Sequence, residues 1–212
     1  MAGLALLAGV CCLAEPAETL RLARAPGLPP PGAAVAGALG RPAVRLAGDR
    51  ARVWLVRVGD TVAVYALVRD PTLTPSDEIV VSVDPAGDAG PAPRHDDFQW
   101  RIRRSLDSSV VYRGREGRWA PPRDDPDWRL GAERGGGGWE VSAVETGDGW
   151  CLVLRLHAAF FEGEAGRRPR AAFRFYTGEP DGWFAWPGER SGAHPSAVED
   201  APDQWAVTVS SP

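Results

Sequence analysis

Tryptophans are the residues whose number and placement most suggest chemistry: the chain has nine of them in 212 residues. Trp183 and Trp186 stand near a predicted loop, and Trp119 and Trp128 bracket an acidic, proline-bearing stretch, residues 120–127. An exposed indole offers a flat apolar surface. The C–H face of a pyranose ring can cover such a surface while carboxylates, amides and arginines bond the hydroxyls. These four tryptophans are predicted to bind a ligand of this kind.

Trp100 and Arg101 complete the predicted ligand-binding set. They are consecutive residues in a strand pattern, so their side chains point to opposite faces of a sheet. Packing in the core or at a sheet edge is the alternative for each ring of the set. Packing is also the prediction for four tryptophans inside strand patterns, which are Trp54, Trp139, Trp150 and Trp205.

Four aspartates, Asp84, Asp88, Asp96 and Asp97, frame the loop from Pro85 to His95. Calcium takes six to eight oxygen ligands, so a loop with several carboxylates and carbonyls is a candidate structural calcium site. The spacing is not that of an EF-hand, and aspartates that form turns explain the same pattern. A calcium site and a set of turns both remain open.

The sequence gives little support to an enzyme. It contains no G-x-S-x-G elbow, no H-E-x-x-H pair, no C-x-x-C and no phosphate loop, so we predict a non-catalytic protein. The chain has a net charge of −4 and no basic cluster, which argues against nucleic acid as a partner.

Residues 1–14 are apolar and uncharged, and they end in a small-x-small pattern at Cys12-Leu13-Ala14. This predicts a secretory signal peptide and a protein that is secreted or located in the periplasm or cell envelope. A lipid anchor on Cys11 or Cys12 and an ordinary apolar tail are the alternatives. An apolar run of about 14 residues is too short to span a bilayer, so no transmembrane span is expected.

Residues 15–42 are rich in Pro, Ala and Gly and predict an irregular lead-in or linker. From residue 43 to 212, short runs of β-branched and aromatic residues follow one another between turn residues. Gly59-Asp60 and the stretch 146–149 are predicted hairpin turns. About nine strands at this spacing predict an all-β fold, an antiparallel β-sandwich of the jelly-roll or immunoglobulin-like type.

The order of these segments resembles the family 9 carbohydrate-binding modules and their DOMON-like relatives. Val68-Arg69-Asp70-Pro71-Thr72-Leu73 is similar to the family's V-x-D-P-x-L, and residues 77–84 (DEIVVSVD) are similar to its strand bounded by two aspartates. Six later segments continue the same order: residues 96–102, 138–141, 149–156, 170–175, 183–186 and 204–207. The resemblance implies a sandwich over most of residues 52–209 and, as its function, carbohydrate binding.

Three positions depart from the family pattern. The loop at Thr74-Pro75-Ser76 lacks the tryptophan of the family's sugar clamp, whose other aromatic partner matches Trp186. Val80 stands where the family usually has a glutamate inside the strand, and Val153 replaces a second one. The resemblance therefore implies a divergent member.

The leading hypothesis is a non-catalytic, extracytoplasmic carbohydrate-binding module. One alternative is an accessory domain, tethered at the envelope, that holds a protein partner. The other is a haem-binding electron-transfer domain, as in some DOMON-like proteins. The chain has no lysine and a single methionine, Met1, so only His95, His157 and His194 are left as axial ligands for a haem.

Overall fold

The computed structural model describes residues 18–106, 109–121, 139–162, 167–178, 181–188, 190–192 and 201–210. The described residues form 14 strands, two short helices and one 3-10 turn. The strands are β1 (Thr19–Arg24), β2 (Val44–Leu46), β3 (Ala51–Val58), β4 (Thr61–Val68), β5 (Glu78–Asp84), β6 (Phe98–Arg103), β7 (Val110–Arg115), β8 (Arg118–Ala120), β9 (Glu140–Thr146), β10 (Gly149–His157), β11 (Arg170–Gly178), β12 (Asp181–Trp186), β13 (Arg190–Gly192) and β14 (Ala206–Ser210). The helices are α1 (Val35–Leu39) and α2 (Ala159–Glu162), and the 3-10 turn is Pro202–Gln204.

The strands form one hydrogen-bonded sheet in the order β8-β7-β6-β5-β11-β14-β1-β3-β4-β10-β9, with β2 paired to β3 and β12 to β11. The sheet curls, so that its two halves face each other across a shared apolar core, as in a sandwich. Val81 and Trp100 from one half and Val64 and Leu152 from the other belong to that core. The predicted all-β fold is therefore confirmed.

Alternation along the strands explains which residues enter the core. On β5, Ile79, Val81 and Val83 are fully buried and belong to the core, whereas Glu78 and Val80 point to the outer face. Both predicted hairpins are present, since Val58 pairs with Thr61 across Gly59-Asp60 and Thr146 pairs with Gly149. A Cβ on Gly149 would lie 1.9 Å from the Val68 carbonyl oxygen, so this close strand crossing requires glycine.

The segment predicted as an irregular lead-in contributes a central strand. Residues Thr19–Arg24 insert between β14 and β3 and run parallel to both, which also departs from the purely antiparallel prediction. Leu20 and Leu22 are 0% and 1% exposed, because their side chains fill the main core. The alternating pattern Thr19-Leu20-Arg21-Leu22 is short and lies in a stretch rich in proline and alanine, so it did not lead to a predicted strand.

The proline-rich residues 25–42 cover the outer face of β3 and β4. A second apolar cluster lies beneath them and includes Val35, Trp54 and Tyr65. Tyr65 Oη donates to the Pro29 carbonyl oxygen at 2.7 Å, and Trp54 Nε1 donates to that of Gly40 at 3.0 Å. This segment, which we call the strap, is therefore part of the folded domain.

Residues 1–17 lie outside the described part of the chain, and the signal peptide and lipid anchor stay predictions. Within the described ranges, the structure has no helix long and apolar enough to cross a membrane.

Candidate functional site

Two of the predicted ligand-binding tryptophans are core residues. Trp100 is 1% exposed and its ring meets Phe160 edge-on, with centroids 5.2 Å apart. Trp186 is 8% exposed and stacks on Phe173 at 5.9 Å. Both belong to strands whose alternation turns these side chains inward. Their assignment to a ligand site was wrong, because rings buried between the two halves of the sheet cannot receive a sugar from solvent.

Trp119 is half-buried on the edge strand β8. Its ring stacks on Trp205, with centroids 6.3 Å apart and planes 3° from parallel. Trp205 is itself 1% exposed, so Trp119 covers a buried ring at the sheet edge. Trp128 lies outside the described residues, and its role stays a prediction.

Trp183 and Arg101 lie on one face of the sheet, the outer face of the strands β6, β5, β11 and β12. Trp183 pairs across the β11–β12 ladder with Tyr176, and Tyr176 pairs with Glu78 on β5. Trp183 is 4% exposed, and its Nε1 is buried without a hydrogen-bond partner. The structure therefore brings these two predicted residues to the same face, although the Trp183 ring is not open to solvent.

A cluster of opposite charges occupies the centre of that face. Glu78 Oε1 accepts a hydrogen bond from Arg174 Nη2 at 3.3 Å and forms an ion pair with Arg101 Nη2, also 3.3 Å away. The side chain of Arg174 is 6% exposed, that of Glu78 19% and that of Arg101 35%. We call Glu78, Arg101, Arg174, Tyr176 and Trp183 the outer-face cluster.

Hydrogen-bonding capacity remains within the outer-face cluster. Arg101 Nε is buried and has no hydrogen-bond partner, and the guanidinium carbon lies 6.0 Å from the centroid of the Tyr112 ring. A buried donor without an acceptor costs about 1–3 kcal/mol. A ligand oxygen that reaches this nitrogen would recover that free energy.

Val80, which stands at the position of the family's glutamate, lies at the centre of this face. It is opposite Arg101 on one side and Arg174 on the other. Glu78 is two residues earlier on the same strand, so its carboxylate projects from the same face. A carboxylate is thus present on this face two residues before Val80, at Glu78.

The acidic loop after β5 brings three of its four aspartates together. Ligand oxygens of Asp84, Asp88 and Asp96 lie within 4.8 Å of one another. Asp84 accepts hydrogen bonds from the backbone N–H groups of Gly87 at 2.6 Å and Ala89 at 3.1 Å. Asp88 accepts from Arg94 Nη1 at 2.6 Å. These contacts are those expected if the aspartates form turns, and they also hold the carboxylates in place.

Asp97 adds a feature that turns alone do not explain. Its side chain is 1% exposed, Oδ2 accepts from the Arg94 backbone N–H at 2.6 Å, and Oδ1 is buried without a partner. Burial raises the pKa of Asp97 to about 7, with the neighbouring carboxylates of Asp84 and Asp96 adding to the effect. Burial likewise raises the pKa of Asp84. A cation near these carboxylates would relieve their repulsion.

Comparison with known proteins relates the chain to others by structure. No protein-family model and no curated protein matches it. A solved structure of a family 9 carbohydrate-binding module from Caldicellulosiruptor kristjanssonii, in complex with cellotriose, covers 91% of this chain and 93% of its own at 13% identity and a TM-score of 0.57. A complex of such a module from the same organism with glucose covers 92% and 96%, at 12% identity and a TM-score of 0.57.

The chain therefore has the fold of family 9 carbohydrate-binding modules. The match spans nearly the whole of both chains, whereas the identity is only 13%. This is the fold that the strand order resembles, in the divergent form that the three departures indicate.

Sequence reasoning missed Glu78, Arg174 and Tyr176 as members of one site. Arg174 and Tyr176 alternate with Phe173 and Phe175 along β11, and this alternation was the available signal for an outer face. What the sequence did not provide is the pairing of β11 with β5, which are some 90 residues apart and become neighbours only in the folded sheet.

Proposed function

We propose that this protein is a non-catalytic carbohydrate-binding module that binds sugar at the outer-face cluster. The observation that carries the proposal is the Glu78 carboxylate held between Arg101 and Arg174 on a sheet face flanked by tyrosines. The fold supports it, because modules with this fold have been solved with cellotriose and with glucose.

Each part of the cluster matches a part of a sugar ring. The carboxylate of Glu78 can accept hydrogen bonds from hydroxyl groups, and Arg101, whose side chain is 35% exposed, can donate to hydroxyl oxygens. Arg174 is only 6% exposed, so its part is to hold the carboxylate in place. The half-buried Tyr112 and Tyr176 offer aromatic surface on either side of the charges. A few fixed polar groups beside aromatic surface are typical of small-molecule sites.

Titration with cellotriose and with glucose tests the proposal, using calorimetry to measure affinity. Glu78→Gln and Arg101→Gln are each expected to lower the affinity by at least about tenfold, since a hydrogen bond to a charged group contributes roughly 1.5–3 kcal/mol. Matched controls are Glu140→Gln and Arg155→Gln, which disrupt a second Glu–Arg pair, 3.2 Å apart, on β9 and β10. Controls that lose affinity as much as the cluster variants, or no binding by the wild-type protein, would refute the proposal.

Trp183 gives this titration an optical signal. Its unpartnered Nε1 lies on the same face as the cluster, so sugar binding nearby is expected to change its fluorescence. A Trp183→Phe variant should lose most of that change while keeping most of the affinity, because the ring is too buried to stack on the sugar.

The apolar, small-residue pattern of residues 1–14 supports export of the protein to the periplasm, the cell surface or the medium. Mass spectrometry of the protein recovered from its native cells tests this. A new N-terminus at Glu15 is expected, whereas a lipid on Cys11 or Cys12 would identify an anchor.

We also propose a structural calcium ion at Asp84, Asp88 and Asp96. The three carboxylates supply oxygens within 4.8 Å of one another. Asp97, whose buried Oδ1 has no hydrogen-bond partner, directly follows Asp96 in the sequence. Such an ion would pin the loop between β5 and β6. Calorimetric titration with CaCl2 after chelator treatment tests it, with Asp88→Asn as the variant expected to weaken binding.

A further inference from the structure

A groove lies between β1, β3 and the strap. It has a volume of about 580 Å³. Its apolar lining includes Ala23, Leu39, Leu55 and Val56, and Trp54 lies at its base with its N–H already donated to Gly40. In the order of the sheet, β14 lies between β1 and β11, which is the nearest strand of the outer-face cluster, so the groove and the cluster are formed by different strands.

Three arginines, Arg21, Arg24 and Arg41, line this groove and are exposed. Among the described residues none of their side chains makes a hydrogen bond or an ion pair, whereas the neighbouring Arg57 pairs with Glu162. The groove has no acidic residue in its lining. The groove is therefore positively charged, although the chain as a whole has a net charge of −4.

The lining is rich in donors and poor in acceptors. Apart from the arginines, its one side chain with a polar atom not already bonded is Thr19. A neutral sugar hydroxyl needs acceptors as well as donors, so this groove matches it poorly. A carboxylate accepts two parallel hydrogen bonds from the planar fork of an arginine, and it matches the groove well.

We propose that the groove binds an acidic polysaccharide, a chain of pyranose rings that carry carboxylates. This rests on the proposed function, because a protein that binds sugar chains at one face gains a second, charge-selective contact from the groove. The Cα atoms of Arg21 and Arg24 are roughly 10 Å apart along β1. The two side chains leave opposite faces of the strand, and Arg24 lines the groove from the last residue of β1. A polymer with repeated carboxylates reaches all three guanidinium groups, whereas a single small anion does not. Apolar ring faces would lie on the alanine and leucine side chains.

Calorimetric titration with oligogalacturonate tests the proposal. The wild-type protein is expected to bind it, with an affinity that falls as NaCl rises because exposed charges are screened. The triple variant Arg21→Gln/Arg24→Gln/Arg41→Gln is expected to lose at least about 100-fold in affinity, as charge-assisted hydrogen bonds are lost at three sites. A control with the same change of net charge is Arg69→Gln/Arg115→Gln/Arg118→Gln, whose exposed arginines lie after β4, at the end of β7 and at the start of β8. In this control Arg69 also loses its ion pair with the exposed Asp148, 3.4 Å away.

The outcomes separate this site from the outer-face cluster. Loss of oligogalacturonate binding in the groove variant, with cellotriose binding and thermal stability retained, supports the proposal. Oligogalacturonate binding that survives the groove variant, or that falls equally in the control, overturns it. Equal binding of poly-glutamate overturns the assignment to sugar acids. Failure of cellotriose binding alone would count against the proposed function and leave the groove proposal standing.

Discussion

Arg104 donates from Nη1 to Asp77 Oδ2 at 3.0 Å, and both side chains are buried, 2% and 0% exposed. The same Nη1 reaches the carbonyl oxygens of Asp70 at 3.1 Å and Thr72 at 3.0 Å. The guanidinium also lies 5.8 Å from the ring centroid of Trp150 on β10. Asp77, the first aspartate of the family-like strand, is therefore tied through Arg104 to the loop before β5.

Removing one partner of this pair is expected to destabilise the folded protein. Asp77→Ala removes the buried carboxylate and leaves the buried Arg104 paired with the exposed Glu145, so we expect a loss of about 3 kcal/mol in the free energy of unfolding. Urea denaturation measures this loss. Glu145 also pairs with Arg104, but its side chain is 62% exposed, so Glu145→Gln should cost at most about 1 kcal/mol. Equal losses for the two variants would contradict a buried role for Asp77.

Asp97 gives the stability a defined pH dependence in chelator-treated protein. Its pKa is about 7 in the folded state against 3.8 in a model peptide, because burial penalises the charge. The folded state thus holds the proton more tightly, so the contribution of Asp97 to stability is full below about pH 4 and is lost as the pH rises to about 7. The amount is on the order of a few kcal/mol. Asp97→Asn is neutral at every pH and should flatten the decline in urea unfolding measured from pH 4 to 8.

Calcium should reverse this trend, because an ion favours the charged carboxylates. We expect CaCl2 to raise the melting temperature more at pH 8 than at pH 5, where protons compete with the ion. Differential scanning calorimetry with and without calcium measures both shifts. An equal shift at the two pH values, or an unchanged shift in Asp88→Asn, would argue that the aspartates serve only as turns.

How far the sequence predicts this molecule depends on whether a feature is local. Alternation within β5 and the Gly59-Asp60 turn predicted strands and hairpins, because a strand and its turn are decided by neighbouring residues. The site was predicted less well. Trp183 and Trp186 lie three residues apart on β12, so alternation predicts that their rings point to opposite faces, but it does not say which of the two enters the core. Only the pairing of distant strands decides which face receives which side chain.

Substitutions of Trp186 test directly whether its ring is a core residue or part of a sugar clamp. Because its ring packs on Phe173 within the main core, Trp186→Ala should cost about 3–5 kcal/mol of unfolding free energy. The milder Trp186→Phe keeps most of the apolar volume, and we expect it to retain full affinity for cellotriose. A Trp186→Phe protein of normal stability that no longer binds sugar would restore the clamp assignment.

The strand β1 provides the sharpest test of the domain boundary. If residues 15–42 were a linker, Leu22→Ala would leave stability unchanged, as would deletion of residues 18–25. In the structure Leu22 is 1% exposed in the core and β1 is bonded to β14 and β3. We therefore expect Leu22→Ala to cost about 2–5 kcal/mol in urea unfolding. The neighbouring exposed Arg21→Ala should change the free energy by no more than about 0.5 kcal/mol. The deletion separates β14 from β3 and uncovers the core between them, so it should abolish cooperative unfolding; a truncated chain with a sharp, two-state transition would return β1 to the status of a linker.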